Sequence, residues 1–148
     1  MTSWLDNVFQ ARRVALEADG TNGGVLGSVT GTTWTTVKTV SPTILVQPGQ
    51  SIYATIMYHA YAQVNQMNTR IACQVDGGTV TELDGSLHRM TNNIFDTITP
   101  FYIVGSKMID PGGVVTILLQ ARSTGAGGTA HIRTPYHAKI EVYSEVES

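Results

Sequence analysis

Four histidines (His59, His88, His131 and His137), the carboxylate pair Glu82 and Asp84, and the single thiol of Cys73 are the side chains best suited to catalysis or metal binding. The histidines form neither a His-x-His pair nor a His-Glu-x-x-His run, the spacings that bring two imidazoles to one metal. His131 and His137 would meet only if strands carrying them paired. Glu82 and Asp84 stand two apart in a turn-rich stretch, where they could share a face as glycosidase carboxylates or calcium ligands do, although solvated turn chemistry is the commoner use. Cys73 falls within an alternating apolar run, which makes it a core thiol without reactivity. No Gly-x-Ser-x-Gly elbow is present, and the glycines of residues 125–128 lack the ordered spacing and the following Lys-Ser/Thr that cradle phosphate. The expectation is a protein that is not an enzyme and needs no metal or cofactor.

Bulk composition narrows the partners. A chain of 148 residues suits one domain with a single core. Charged residues make up 14% of it, against roughly 25% in ordinary soluble domains, and together with abundant Thr this favours strands. A net charge of -2 argues against nucleic acid, whose phosphates need a concentrated excess of Lys and Arg. No apolar run approaches the ~18 residues that would span a bilayer. Residues 1–6 lack the basic and apolar regions of a secretory signal, so synthesis in the cytoplasm is expected. One cysteine excludes an intrachain disulfide.

The strand that organises the rest runs from Ile52 to Tyr61, after a turn at Pro48-Gly49. Read with period two, Ile52, Ala54, Ile56, Tyr58 and Ala60 lie on one face and Tyr53, Thr55, Met57, His59 and Tyr61 on the other. The first face is core. The second is aromatic and methyl-rich yet carries polar atoms, the chemistry of a surface that meets another protein. Tyr53, Met57, His59 and Tyr61 are therefore the expected oligomer interface.

Residues 4–18 read as a helix, with Ser3 as N-cap and Trp4, Val8, Ala11 and Ala15 along one line. A Gly-rich linker over residues 19–24 follows, so residues 1–24 form an expected arm or helix and residues 25–148 the body. Within the arm, Trp4, Leu5, Val8, Phe9, Arg12 and Arg13 are the candidates for docking on a neighbour. Further strands are expected at residues 34–40, 43–46, 70–76, 79–83, 86–90, 96–104, 114–122, 129–133 and 137–143, separated by turn signals such as Asp76-Gly77 and Asp84-Gly85. Pro100 inside its strand marks an edge or a bulge. About eight short strands without intervening helices predict an all-β antiparallel sandwich, with a jelly roll suiting the count.

The succession of Val46-Gln47-Pro48-Gly49-Gln50-Ser51, Arg70-Ile71-Ala72-Cys73-Gln74-Val75-Asp76-Gly77-Gly78, Asp110-Pro111-Gly112-Gly113-Val114-Val115, a Gly-rich loop and Ala138-Lys139-Ile140-Glu141-Val142-Tyr143 resembles the jelly-roll domains of tailed-bacteriophage virion proteins. These are similar in topology to tumour-necrosis-factor and C1q trimer modules. The resemblance covers residues 34–144. It implies a homotrimer with one sheet face around the threefold axis and, in capsid-decorating members, an N-terminal arm that reaches the major capsid protein or a neighbour. A decoration or cement protein on the virion surface is the reading it favours. The alternatives are a tail-fibre or spike tip that recognises a host glycan through residues 77–84 and 125–134, and a free carbohydrate-binding module.

Overall fold

The computed structural model describes residues 13–62, 66–91, 95–123 and 129–144, and no helix occurs among them. The strands are β1 (Arg13–Asp19), β2 (Val25–Val29), β3 (Thr35–Thr39), β4 (Ile44–Val46), β5 (Gln50–Ala62), β6 (Gln66–Val75), β7 (Thr81–Glu82), β8 (His88–Thr91), β9 (Phe95–Ile109), β10 (Gly113–Ser123) and β11 (Ala130–Tyr143). One sheet runs β1-β11-β5-β9, with β2 also on β11. The other runs β3-β10-β6-β7, with β4 on β10 and β8 on β6. The pairings are antiparallel throughout. Two such sheets packed face to face, with strands crossing between them in sequence order, make the expected jelly-roll sandwich.

The core lies between the sheets and follows the period-two pattern. Ile52, Ala54, Ile56, Tyr58 and Ala60 of β5 are fully buried, as are Ile71 and Cys73 of β6, Val115, Leu119 and Ala121 of β10, and Ala138, Ile140 and Val142 of β11. Cys73 is thus the core thiol expected, with its Sγ 3.4 Å from Thr81 Oγ1. Two large polar-tipped rings are buried with the aliphatics. The Tyr58 hydroxyl lies 2.7 Å from Thr69 Oγ1, and its ring stacks on Phe101 at 5.6 Å between centroids. Tyr136 is equally enclosed.

Turn chemistry sets the registers. Gly78 N–H donates to Val75 C=O while Asp76 and Gly77 both hold positive φ, the backbone of a type I′ hairpin. Asp76 is not glycine, and its placement is supported by its carboxylate, which accepts the Val114 N–H at 2.9 Å. At Pro48-Gly49 the Gln50 N–H donates to Gln47 C=O, with Gly49 taking the positive φ that a type II turn needs. Pro100 sits opposite His59 in β9, the outermost strand of its sheet, where proline is tolerated because the strand pairs along one side.

The expected helix over residues 4–18 is corrected from Arg13 onward. Arg-Val-Ala-Leu-Glu-Ala favours a helix locally, but the free edge of β11 offers a row of unpaired backbone groups. Pairing runs from Arg13 opposite Val142 to Asp19 opposite Tyr136, and that tertiary gain overrides propensity. Ala15 then packs against the core and Leu16 points away. The glycine stretch that follows is also tied down: Thr134 N–H donates to Gly24 C=O at 2.8 Å, and Arg133 Nη1 donates to Gly23 C=O at 3.0 Å. Residues 1–12 lie outside the described residues. Residues 129–133 and 137–143, expected as two strands, form the single β11, which passes Pro135 with a register shift between Arg133 and His137.

Burial holds the phenols of Tyr58 and Tyr136 above the ordinary tyrosine range; the Thr69 hydrogen bond opposes this at Tyr58, and the Glu17 carboxylate adds to it at Tyr136. Between the unfolded tyrosine value near 10 and the raised folded value, the unfolded chain binds fewer protons, so stability falls as pH rises. We expect the urea midpoint to drop from about pH 9 to about pH 11, and to drop less in a Tyr58→Phe/Tyr136→Phe variant. Equal declines in the two proteins would contradict this.

Candidate functional site

The outward face of the β1-β11-β5-β9 sheet follows from alternation on either side of the buried positions. Register places Tyr53 between Glu141 and Ser106, Thr55 between Lys139 and Val104, and Met57 between His137 and Tyr102. His59 lies between Arg133 and Pro100, Ser51 between Tyr143 and Met108, and Leu16 beyond Lys139. The four residues expected as an interface, Tyr53, Met57, His59 and Tyr61, therefore do share one face.

They are not equally available. His59 Nδ1 is 2.8 Å from the Pro135 carbonyl oxygen, and the Tyr61 ring stacks on His131 with centroids 5.8 Å apart. His131 is in turn 2.8 Å from the Ser28 hydroxyl. That end of the strand is engaged within the chain. Tyr53 and Met57 lie toward the other end, where the face gains residues that the sequence reading did not assign to the interface. Of the seven large apolar side chains most exposed among the described residues, four are here: Leu16 (61%), Tyr53 (41%), Tyr102 (64%) and Met108 (56%). Tyr102 and Met108 come from β9, and a period-two reading of that strand extended to Ile109 would have found them.

The face divides into two halves. β5 and β9 supply Tyr53, Met57, Tyr102, Val104 and Met108, an apolar half. β11 supplies a charged stripe in which Lys139 Nζ lies 3.3 Å from Glu141 Oε1 and the Tyr143 hydroxyl donates to Glu141 Oε2 at 2.7 Å. Glu141 is itself buried. An apolar patch beside a satisfied polar border is the composition of an association surface.

The arm candidates Trp4, Leu5, Val8, Phe9 and Arg12 lie outside the described residues, whereas Arg13 opens β1 opposite Val142. The catalytic candidates are dispersed. His131 and His137 share one strand rather than facing each other across two. Glu82 faces Arg70 at 3.6 Å, while Asp84 makes a two-bond backbone bridge to Ser106. Among the described residues no group of three His, Cys, Asp or Glu side chains converges as a metal site. No helix among them is long and apolar enough to cross a membrane.

A cleft of about 350 Å³ opens at the Pro-Gly end of the sandwich, lined by Asp76, Thr79, Thr81, Lys107, Met108 and Asp110 among others. It mixes one ammonium, two carboxylates and two hydroxyls with apolar walls, a lining suited to an uncharged polar ligand.

No protein-family model matches the chain, and no curated protein sequence matches it. Among solved structures it is similar to the Eiger TNF from S. frugiperda, with a TM-score of 0.54 at 11% identity over 93% of this chain and 96% of that one. A weaker likeness is to infectious bursal disease virus, Gx strain, at TM-score 0.48 and 11% identity, covering 89% of this chain and 32% of that one. Another is to the CBM22-1 xylan-binding domain from Paenibacillus barcinonensis Xyn10C, at TM-score 0.39 and 12% identity, over 83% of this chain and 97% of that one. The first likeness shows the jelly-roll fold.

Glu141→Gln should cost about 1–3 kcal/mol of folding stability in urea unfolding, because a buried charged acceptor bonded to a hydroxyl and facing an ammonium is replaced by a neutral amide. An unchanged midpoint would mean that the stripe is solvated and contributes nothing.

Proposed function

We propose that this chain is a non-enzymatic structural protein of a tailed-bacteriophage virion, a capsid decoration or cement protein that binds the head exterior as a homotrimer against the major capsid protein. The observation that carries the reading is the apolar half of the outward sheet face. Tyr53, Tyr102 and Met108 are exposed on it with Met57 half-buried beside them, and a second copy of the same face or of a sheet edge would cover them. The sequence resemblance to virion jelly-roll domains supplies the setting, and the fold shared with a TNF module is compatible with threefold packing.

In this reading apolar burial drives association, at about 25 cal/mol per Å² before the entropy of association is subtracted. β1, which opens with Arg13, is the edge strand of its sheet. We assign attachment to the capsid lattice to Trp4, Leu5, Val8, Phe9 and Arg12, together with Arg13. Three arms on one trimer would bind with an avidity that no single arm supplies, and many trimers would together resist pressure from packaged DNA.

A second reading, a fibre or spike tip that recognises a glycan, is favoured by the cleft that includes Thr79 and Thr81, within the stretch of residues 77–84 expected to serve such a role.

The test adds purified protein to capsids lacking it. The wild type should bind and raise the temperature at which the capsids disrupt, whereas Tyr53→Glu/Tyr102→Glu should keep its strand spectrum and lose binding. Capsid binding by a variant that remains monomeric, or none by the wild type, would contradict the reading.

A further inference from the structure

The outward face of the second sheet carries a cluster that the proposed function leaves unused. Arg70 of β6 stands opposite Gln120 of β10, and Arg122 lies two residues along on the same face. Both guanidinium groups reach the indole of Trp34, just before β3, with their central carbons 4.3 Å (Arg70) and 4.4 Å (Arg122) from the ring centroid. Two like charges on one ring repel, so the arrangement needs compensation.

Arg70 has it. Its Nε donates to Gln120 Oε1 at 2.8 Å, Glu82 lies 3.6 Å from Nη1, and Gln120 is held in turn through its Nε2, which donates to Thr36 Oγ1 at 3.1 Å. Loss of solvation lowers the Arg70 pKa, Glu82 opposes that, and the neighbouring Arg122 charge lowers it further. Arg122 is different. Among the described residues no carboxylate pairs with it, and its Nε is shielded from water without a hydrogen-bond acceptor. The Nε of Arg133 is shielded in the same way, but that guanidinium is held through Nη1 to Gly23 C=O, whereas the Arg122 guanidinium has no hydrogen bond among the described residues.

We propose that Arg122, Arg70 and Trp34 form a binding site for a carboxylate group, free or on a partner's acidic side chain, with the half-buried Arg122 as its principal donor through its two terminal Nη groups rather than the shielded Nε. The fork of the guanidinium matches two carboxylate oxygens in one plane, and the indole fixes its orientation by stacking. Carboxylate is preferred to phosphate because Arg70, on the same indole, already faces one carboxylate, Glu82.

The experiment is a ¹⁵N NMR titration of the full chain with sodium succinate and, separately, a blocked triglutamate peptide, at ionic strength held with sodium chloride. Sodium phosphate is the third titrant. The Arg122 Nε–H and Trp34 Nε1–H resonances should shift saturably with succinate or the peptide; tighter binding of the peptide identifies a protein side chain as the source, and equal binding a free carboxylate. Arg122→Gln should abolish the shift, and Arg122→Lys, which keeps the charge without the planar fork, should weaken binding about fivefold or more. Drift that never saturates in the wild type, or a response unchanged in Arg122→Gln, would overturn the site. Tighter binding of phosphate than of either carboxylate would overturn the ligand assignment. The backbone spectrum of each variant reports its folding, and the wild-type titration decides the matter if a variant does not fold.

Discussion

Side chains alternate along a strand, so burying Ile52, Ala54, Ile56, Tyr58 and Ala60 commits Tyr53, Thr55, Met57, His59 and Tyr61 to the opposite surface. β5 is paired along its length on both sides, to β11 and to β9. A slip by one residue would place Tyr53 and His59 in the core and Ile52 and Ile56 in water. The inner face therefore fixes the outer one, and through the two ladders it also fixes which residues of β9 and β11 lie beside it. The candidate surface is a by-product of core packing in this sense: its membership is set by what the other face must bury.

The two outward faces solve different problems. On the β5 sheet, the charges of β11 are compensated internally, with Glu141 held by Lys139 and Tyr143, which leaves the apolar half with β9 to be covered by contact. On the β6 sheet Leu118 and Ala72 of the outer face are buried while Leu45 and Val114 stay exposed at one end, and around Trp34 the imbalance is electrical, two guanidinium groups on one indole with a carboxylate facing only one of them. In the proposed reading one face takes apolar surface from another copy of the chain, and the other takes a carboxylate.

Much of the sandwich was legible in the sequence because it depends on local signals. Alternation identified the core positions of β5, β6, β10 and β11, Asp-Gly and Pro-Gly pairs placed the turns, and Pro100 marked an edge. The failures occurred where distant partners decide the outcome. Residues 13–18 have good helix propensity, and only the unpaired edge of β11 makes them a strand. Pro135 reads as a break, yet β11 continues past it through a bulge. At the candidate interface the sequence supplied the β5 residues but could not show that Pro135 and His131 engage His59 and Tyr61, or that Tyr102, Met108 and Leu16 arrive from neighbouring strands. The convergence of Trp34, Arg70 and Arg122 has no local pattern, since it exists only once β3, β10 and β6 are side by side.

The account rests on the apolar half of the β5 sheet being covered by other copies of the chain. Light scattering coupled to size exclusion across a dilution series into the low micromolar range measures this directly. The account predicts a species of three times 15.9 kDa that persists on dilution. A single species of 15.9 kDa throughout would contradict it.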